Sequence, residues 1–280
     1  MSDAEPLPPD DIPPSATERR ATARGRVGLF WDLFFKSMRA LGVRADRFYT
    51  SVGIFLIAGA AVAVAATLGF ASLGDHVRRG ATQPFDVAVL RWMGAHQTPL
   101  FTAAAVELTY LGTGTVVLTI VGVSALFLWH TAHKHSARLL LAAVAGNLLL
   151  NYALKLVFNR ARPDVFLWKT TAVSSSFPSG HAMSATVCYG TVAYLVARLQ
   201  KHRWSRTLTL SGATLLILLI CATRLYLGVH YPSDVLAGIL VGLAWAGFCM
   251  ATLEASLALA RRRTPSRVIE ERRAPQELAS

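Results

Sequence analysis

The chain has 280 residues, of which 53% are apolar and only 16% charged, with a mean hydropathy of +0.42. That balance excludes an ordinary soluble globule and describes a membrane protein. A formal charge of +12 would suit a nucleic-acid reader, but the 28 Lys and Arg cluster in the gaps between apolar runs. No soluble stretch is long enough to carry a basic face, so nucleic acid is not expected as a partner. Cys188, Cys221 and Cys249 each lie inside an apolar run, odd in number and without metal-ligand spacing, which argues against a disulfide framework or a zinc site.

In chain order, residues 1–28 hold Pro6, Pro8, Pro9, Pro13 and Pro14 among mixed charges, with little apolar surface to bury. They read as a disordered tail. From Leu29 to Phe48, apolar positions such as Phe30, Leu33, Phe34 and Met38 alternate with Asp32, Lys36, Arg39 and Arg44, which suits an interfacial amphipathic helix. An unpacked basic tail is the alternative; either way residues 1–47 are set apart as a cytoplasmic segment.

Six apolar runs follow, at about 48–74, 108–129, 139–158, 182–197, 207–223 and 235–253. Each approaches the roughly 20 residues a spanning helix needs. The expected fold is therefore an all-α, polytopic bundle of six transmembrane helices over residues 48–256, followed by a basic cytoplasmic tail, 257–280. The stretch 75–107, with Asp75, Arg78, Arg79, Asp86 and Arg91 among Phe85, Leu90 and Trp92, reads as a loop with a short surface helix.

Six spans place both termini on one side. Assigning the termini and the gaps 130–138 and 198–206 to the cytoplasm puts 20 of the 28 Lys and Arg there, as the positive-inside rule asks. Five of the remaining eight fall between Lys155 and Arg224. Charge at the end of a span is costly and usually functional, and four span ends carry it. The third run ends in Lys155, then Arg160 and Arg162; the fourth begins at His181; the fifth ends at Arg224; the sixth begins at Asp234, just after His230. Parity sets all four ends on one face, outside.

Three cations, two histidines and one carboxylate suit an anion better than a hard metal, and phosphate is the natural guest for Arg and Lys together. Pro178-Ser179-Gly180-His181 opens a helix, where free amides and the dipole also favour an anion. His230 and Asp234 stand at i and i+4, so the carboxylate can hold one imidazole nitrogen and leave the other as nucleophile or base. His181 can then serve as general acid. Taken singly, each feature has an ordinary reading: Lys155 and Arg162 as snorkelling cations, Ser233-Asp234 as a helix cap, Pro-Ser-Gly as a turn.

Jointly, these residues resemble the type 2 phosphatidic acid phosphatase (PAP2) family. Its first motif, Lys, six residues, Arg-Pro, is matched by Lys155 through Pro163; its second, Pro-Ser-Gly-His, by residues 178–181; its third by Arg224, His230 and Asp234, with Thr223 where the family more often has Ser. Three ordered parts make the match specific. The resemblance covers residues 50–255 and implies a PAP2/haloperoxidase-like fold and an integral membrane phosphatase without cofactor or metal. It implies His230 as a nucleophile forming a phosphohistidine, Asp234 as its orienting partner and His181 as acid and then base. Lys155, Arg162, Arg224, Ser179 and the Gly180 amide would hold the phosphoryl oxygens. The implied partners are the bilayer and a phosphorylated lipid of the undecaprenyl diphosphate or phosphatidate type, in a bacterial inner membrane. The rival readings are a non-catalytic lipid-phosphate binding or transport protein on the same scaffold, and haloperoxidase chemistry, against which six spans speak.

Other features have milder readings. Asn147 and Asn151 precede Lys155 at four-residue steps and read as interhelical glue. Gly238 and Gly242 suit close packing, within the monomer or across a homodimer. Phe166, Leu167 and Trp168 read as loop anchors at the interface. His130, His133 and His135 read as a solvated cytoplasmic loop.

Overall fold

The computed structural model describes residues 50–277, apart from 132 and 173. The chain divides into two compact units, Met1–Ser51 and Val52–Ser280. The tail and interfacial helix expected over residues 1–47 lie outside the described residues; the second unit holds the spans.

Eight helices run through the described residues: α1 (Thr50–Arg78), α2 (Gln83–Ala95), α3 (Pro99–Tyr110), α4 (Gly114–His130), α5 (Lys134–Phe158), α6 (Gly180–Leu199), α7 (Arg203–Tyr226) and α8 (Pro232–Glu277). Five stretches are long and apolar enough to cross a membrane: Ile57–Arg78 of α1, then α5, α6, α7, and Pro232–Leu253 of α8. The pair α3 and α4, bent by 47°, makes a sixth. The protein is an integral membrane helix bundle.

The expected loop over 75–107 is corrected. Its first residues complete α1, and a surface helix does follow, but residues 99–110 form a further helix, α3. Thr98 caps it by accepting from the Phe101 amide at 3.3 Å, and Pro99 takes the first turn, where its missing N–H costs nothing. Thr102, Glu107 and Thr109 dilute the hydropathy of this stretch, which is why the second span reads as starting later than it does.

In lipid no hydrophobic force drives helices together, so contacts depend on small residues that let backbones approach. Helix α6, with Ala182, Ser184, Ala185, Thr186, Thr191, Ala193 and Ala197 all buried, takes the centre and lies against α4, α5, α7 and α8. Gly238 and Gly242 of α8 face it: an added Cβ would come within 2.6 Å of the Ser179 carbonyl or 2.7 Å of Thr186. This small-residue pair is used inside the monomer. Asn147 donates to Ser184 Oγ at 3.0 Å and joins α5 to α6 as expected.

Candidate active site

The local sequence fixes each site residue through the way its helix starts or stops. Helix α5 ends with Asn159 in the left-handed region, φ 39°, which turns the chain out of the helix just after Lys155. Helix α7 ends in a Schellman turn: Gly228, φ 77°, donates to Leu225, and Val229 donates to the Arg224 carbonyl. This turn holds Arg224 in the last helical turn and swings His230 back beside it. A side chain at Gly228 would strike Phe166, whose ring also lies against Gly94 of α2. Phe166 thus anchors its loop, while neighbouring Leu167 stays exposed.

Helix α8 starts with Pro232 after Tyr231. Asp234, in the first turn, reaches back with Oδ2 to accept the Tyr231 amide at 2.8 Å, the reciprocal half of a capping box. Capping and a place in the site therefore coexist in one carboxylate. Helix α6 starts after Ser179, whose amide donates to the Asp234 carbonyl at 2.9 Å and ties the two helix starts together. The Ser179 side chain does not cap α6, and its buried Oγ has no hydrogen-bond partner. Gly180 faces Asn151, and Gly112, at the bend between α3 and α4, leaves room for the His181 ring.

Lys155, Arg162, His181, Arg224, His230 and Asp234 come together. Arg162 donates to the Val229 carbonyl at 2.6 Å and lies 3.4 Å from Nε2 of His230. Nδ1 of the same ring lies 3.5 Å from Asp234 Oδ2. Arg can only donate, so Nε2 is the unprotonated nitrogen and Nδ1 carries the hydrogen, near the carboxylate but without a hydrogen-bond partner. Lys155 donates to Ser174 Oγ at 2.8 Å, and Arg162 donates to the Ser174 carbonyl at 2.7 Å, so one serine seats both cations. Arg224, almost wholly buried, donates to Thr109 of α3 at 2.7 Å, leaving its Nε without a partner. His181 is within coulombic range of Arg224, His230, Lys155 and Arg162.

Burial pushes His230 down from 6.5 to about 4; Asp234 pulls the other way, and Arg162 and Arg224 add to the lowering. Burial also lowers Arg162 from its usual value, with Asp234 opposing. His230 is thus neutral at pH 7, with the Nε2 lone pair directed at Arg162. Among the described residues no three His, Cys, Asp or Glu side chains gather as a metal group, the histidines near His133 included.

Residues 136–257 match the model of the PAP2 superfamily. The chain is similar to phosphatidylglycerophosphatase B of Bacillus subtilis (strain 168), 29% identical over 180 residues, which span 63% of this chain and 87% of that one. An undecaprenyl-diphosphatase of Sulfolobus acidocaldarius is 34% identical over 99 residues, 35% of this chain and 43% of that one. Among solved structures, the transmembrane PAP2-type phosphatidylglycerolphosphate phosphatase of Bacillus subtilis superposes with a TM-score of 0.63 at 27% identity, covering 67% of this chain and 93% of its own. The protein is a hydrolase of the phosphatase class.

Several residues around the PAP2 motifs escape sequence reasoning. Arg160 was visible only as one more cation at a helix end, yet it donates to Asp234 Oδ1 at 2.6 Å and to Asp86 Oδ2 at 2.9 Å. Asp86, fully buried on α2, accepts the Ser233 amide at 3.0 Å and its hydroxyl at 2.5 Å. Ser176 donates to Asp234 Oδ2. The available signal was the i, i+4 pair Asp86 and Leu90, which together form the inward face of an amphipathic helix whose Phe85 and Trp92 point out.

Proposed function

We propose that the protein removes a phosphoryl group from a membrane lipid phosphate or diphosphate, through a phosphohistidine on His230, at the extracytoplasmic face of a bacterial inner membrane with both termini cytoplasmic. The observation that carries this reading is the buried, neutral His230, its Nε2 lone pair beside Arg162 and its Nδ1 toward Asp234. Around it Lys155 and Arg224 supply charge, and Ser179 Oγ and Arg224 Nε are buried polar atoms without a protein partner that suit phosphoryl oxygens.

Nε2 of His230 attacks phosphorus and the bond to the lipid oxygen breaks. His181 gives its proton to the leaving oxygen, and Asp234 stabilises the positive charge that develops on the ring. Water then attacks the phosphohistidine, His181 takes a proton from it, and inorganic phosphate leaves with His230 restored. Most of phosphoryl transfer is positioning and charge stabilisation, which Lys155, Arg162 and Arg224 provide without a divalent metal. The names of the relatives, phosphatidylglycerophosphatase B and undecaprenyl-diphosphatase, support a lipid substrate. So does a cavity of about 480 Å³ between α1, α5 and α8, lined by Leu68, Phe70, Leu154, Val241, Trp245 and Phe248, where Leu154 adjoins Lys155.

The test is phosphate release by purified protein from phosphatidylglycerophosphate, phosphatidate, undecaprenyl phosphate and undecaprenyl diphosphate, with and without chelator. Turnover of at least one lipid, unaffected by chelator and abolished in His230→Ala, is expected. Binding without turnover would favour a lipid-phosphate carrier, and rescue of chelated enzyme by magnesium would overturn the metal-free mechanism.

A further inference from the structure

Asp234 is fully buried, and its surroundings extend beyond the three sequence motifs. Its Oδ1 accepts from Arg160, and its Oδ2 from Ser176 and the Tyr231 amide. Arg160 is gripped from the far side: its second guanidinium nitrogen donates to Asp86 at 2.9 Å and Gln83 at 3.2 Å, both on α2. Its flat face lies 4.3 Å from the Tyr231 ring centroid, and Gln83 donates to the hydroxyl of that ring at 3.2 Å. Asp86 also satisfies the Ser233 amide at the start of α8, where free N–H groups and the helix dipole favour a carboxylate.

The geometry points to Arg160 as a positioning residue for Asp234, held in place by Asp86 and Gln83 of α2, so that docking of this surface helix sets the orientation of Asp234 and through it the ring of His230. The inference rests on the reading of His230 as nucleophile. A planar fork fixes the direction of two carboxylates at once, whereas the rotatable donors of an ammonium do not. Arg160 also neutralises part of the negative charge that Asp234 presents to His230. Two other cations face that ring, Arg162 from the loop and Arg224 from α7, with His181 across from it on α6, while Lys155 of α5 lies within range of Asp234. Among the described residues Arg160 is the one cation that donates a hydrogen bond to Asp234, beside the neutral donors Ser176 and the Tyr231 amide.

Three variants separate geometry from charge. Arg160→Lys keeps the charge and loses the bridge; kcat should fall about 10- to 100-fold at unchanged KM, with the pH profile in place. Arg160→Gln removes the charge, so the acid limb of kcat/KM should move up by about one pH unit. Titration of the His230 ring by NMR of histidine-labelled protein in detergent should move with it, whether or not turnover is seen. Asp86→Asn, which leaves the motif residues untouched, should lower kcat at unchanged KM. Wild-type kcat in Asp86→Asn together with an unmoved His230 titration in Arg160→Gln would overturn the proposal. So would a rise in KM alone, which would make Arg160 a substrate contact, or failure of all three variants to fold, which would assign the cluster to folding. A wild-type protein that releases no phosphate from any lipid would defeat the phosphatase reading and leave the NMR titration to decide the positioning role.

Discussion

His230 combines a free lone pair with a charge-repelling environment, and that combination has a measurable sign. Its value drops from 6.5 to about 4, so the ring stays neutral, and nucleophilic, well into mildly acidic pH. The acid limb of kcat/KM reports the free enzyme and should fall near pH 4; a limb at 6.5 or above would mean that His230 is not the group being titrated. The stability consequence runs the same way. Between pH 6.5 and 4 the unfolded imidazole binds a proton that the folded one refuses, so stability falls as the pH drops through that window and levels off below it. At this scale the sequence was most informative about chemistry and least about support. Lys155, Arg162, His181, Arg224, His230 and Asp234 were legible from type, order and spacing. Thr109, Ser174 and Ser176, which seat Arg224, Lys155 and Asp234, are ordinary hydroxyl residues with no pattern of their own.

Among the helices, the closeness of α6 and α8 is what binds the site to the bundle. Gly238 and Gly146 are both close-approach glycines, but they meet different neighbours. A Cβ at Gly146 would strike the Trp245 ring of α8, 2.1 Å away, whereas one at Gly238 would strike the Ser179 carbonyl at 2.6 Å. Overpacking of this kind costs about 1–3 kcal/mol, so Gly146→Ala and Gly238→Ala should both lower the melting temperature in detergent. Only Gly238→Ala should lose turnover beyond what its folded fraction explains, because it displaces the start of α6 at Ser179. Equal specific activity in the two folded variants would show that this helix start tolerates movement. The span pattern was legible because apolar runs are long. Helix ends were legible only where a charge happened to mark them, and α3 was hidden because its polar residues dilute a run that the bend at Gly112 then splits.

At the scale of the whole chain the proposed function makes one directional claim, that the proposed phosphate site and the loop 159–179 face away from the cytoplasm. Leu167 is exposed in that loop, and His133 is exposed at the opposite end of α5. Cys188, Cys221 and Cys249 are buried, so background labelling is low. In intact cells Leu167→Cys should react with a membrane-impermeant thiol reagent, and His133→Cys should react only after permeabilisation. The reverse pattern would place the reaction on the cytoplasmic side. The six-span parity that leads to this claim was readable from apolar runs and Lys and Arg alone. The link from α2 to α8 was not, because no local pattern joins residues 147 positions apart.

That separation also orders events during biosynthesis. At about 5–20 residues per second, Asp86 leaves the ribosome on the order of 10 s before Ser233 and Asp234, and Arg160 emerges between them. His181 and the anion-binding start of α6 are likewise made before the last span exists. The nucleophile, its carboxylate and the clamp that orients them are completed only when α8 inserts and its first turn meets the waiting carboxylate of α2. On the proposed mechanism a half-made chain therefore holds the cations but has no means of cleaving a phosphate, and hydrolysis begins only once α8 is in place.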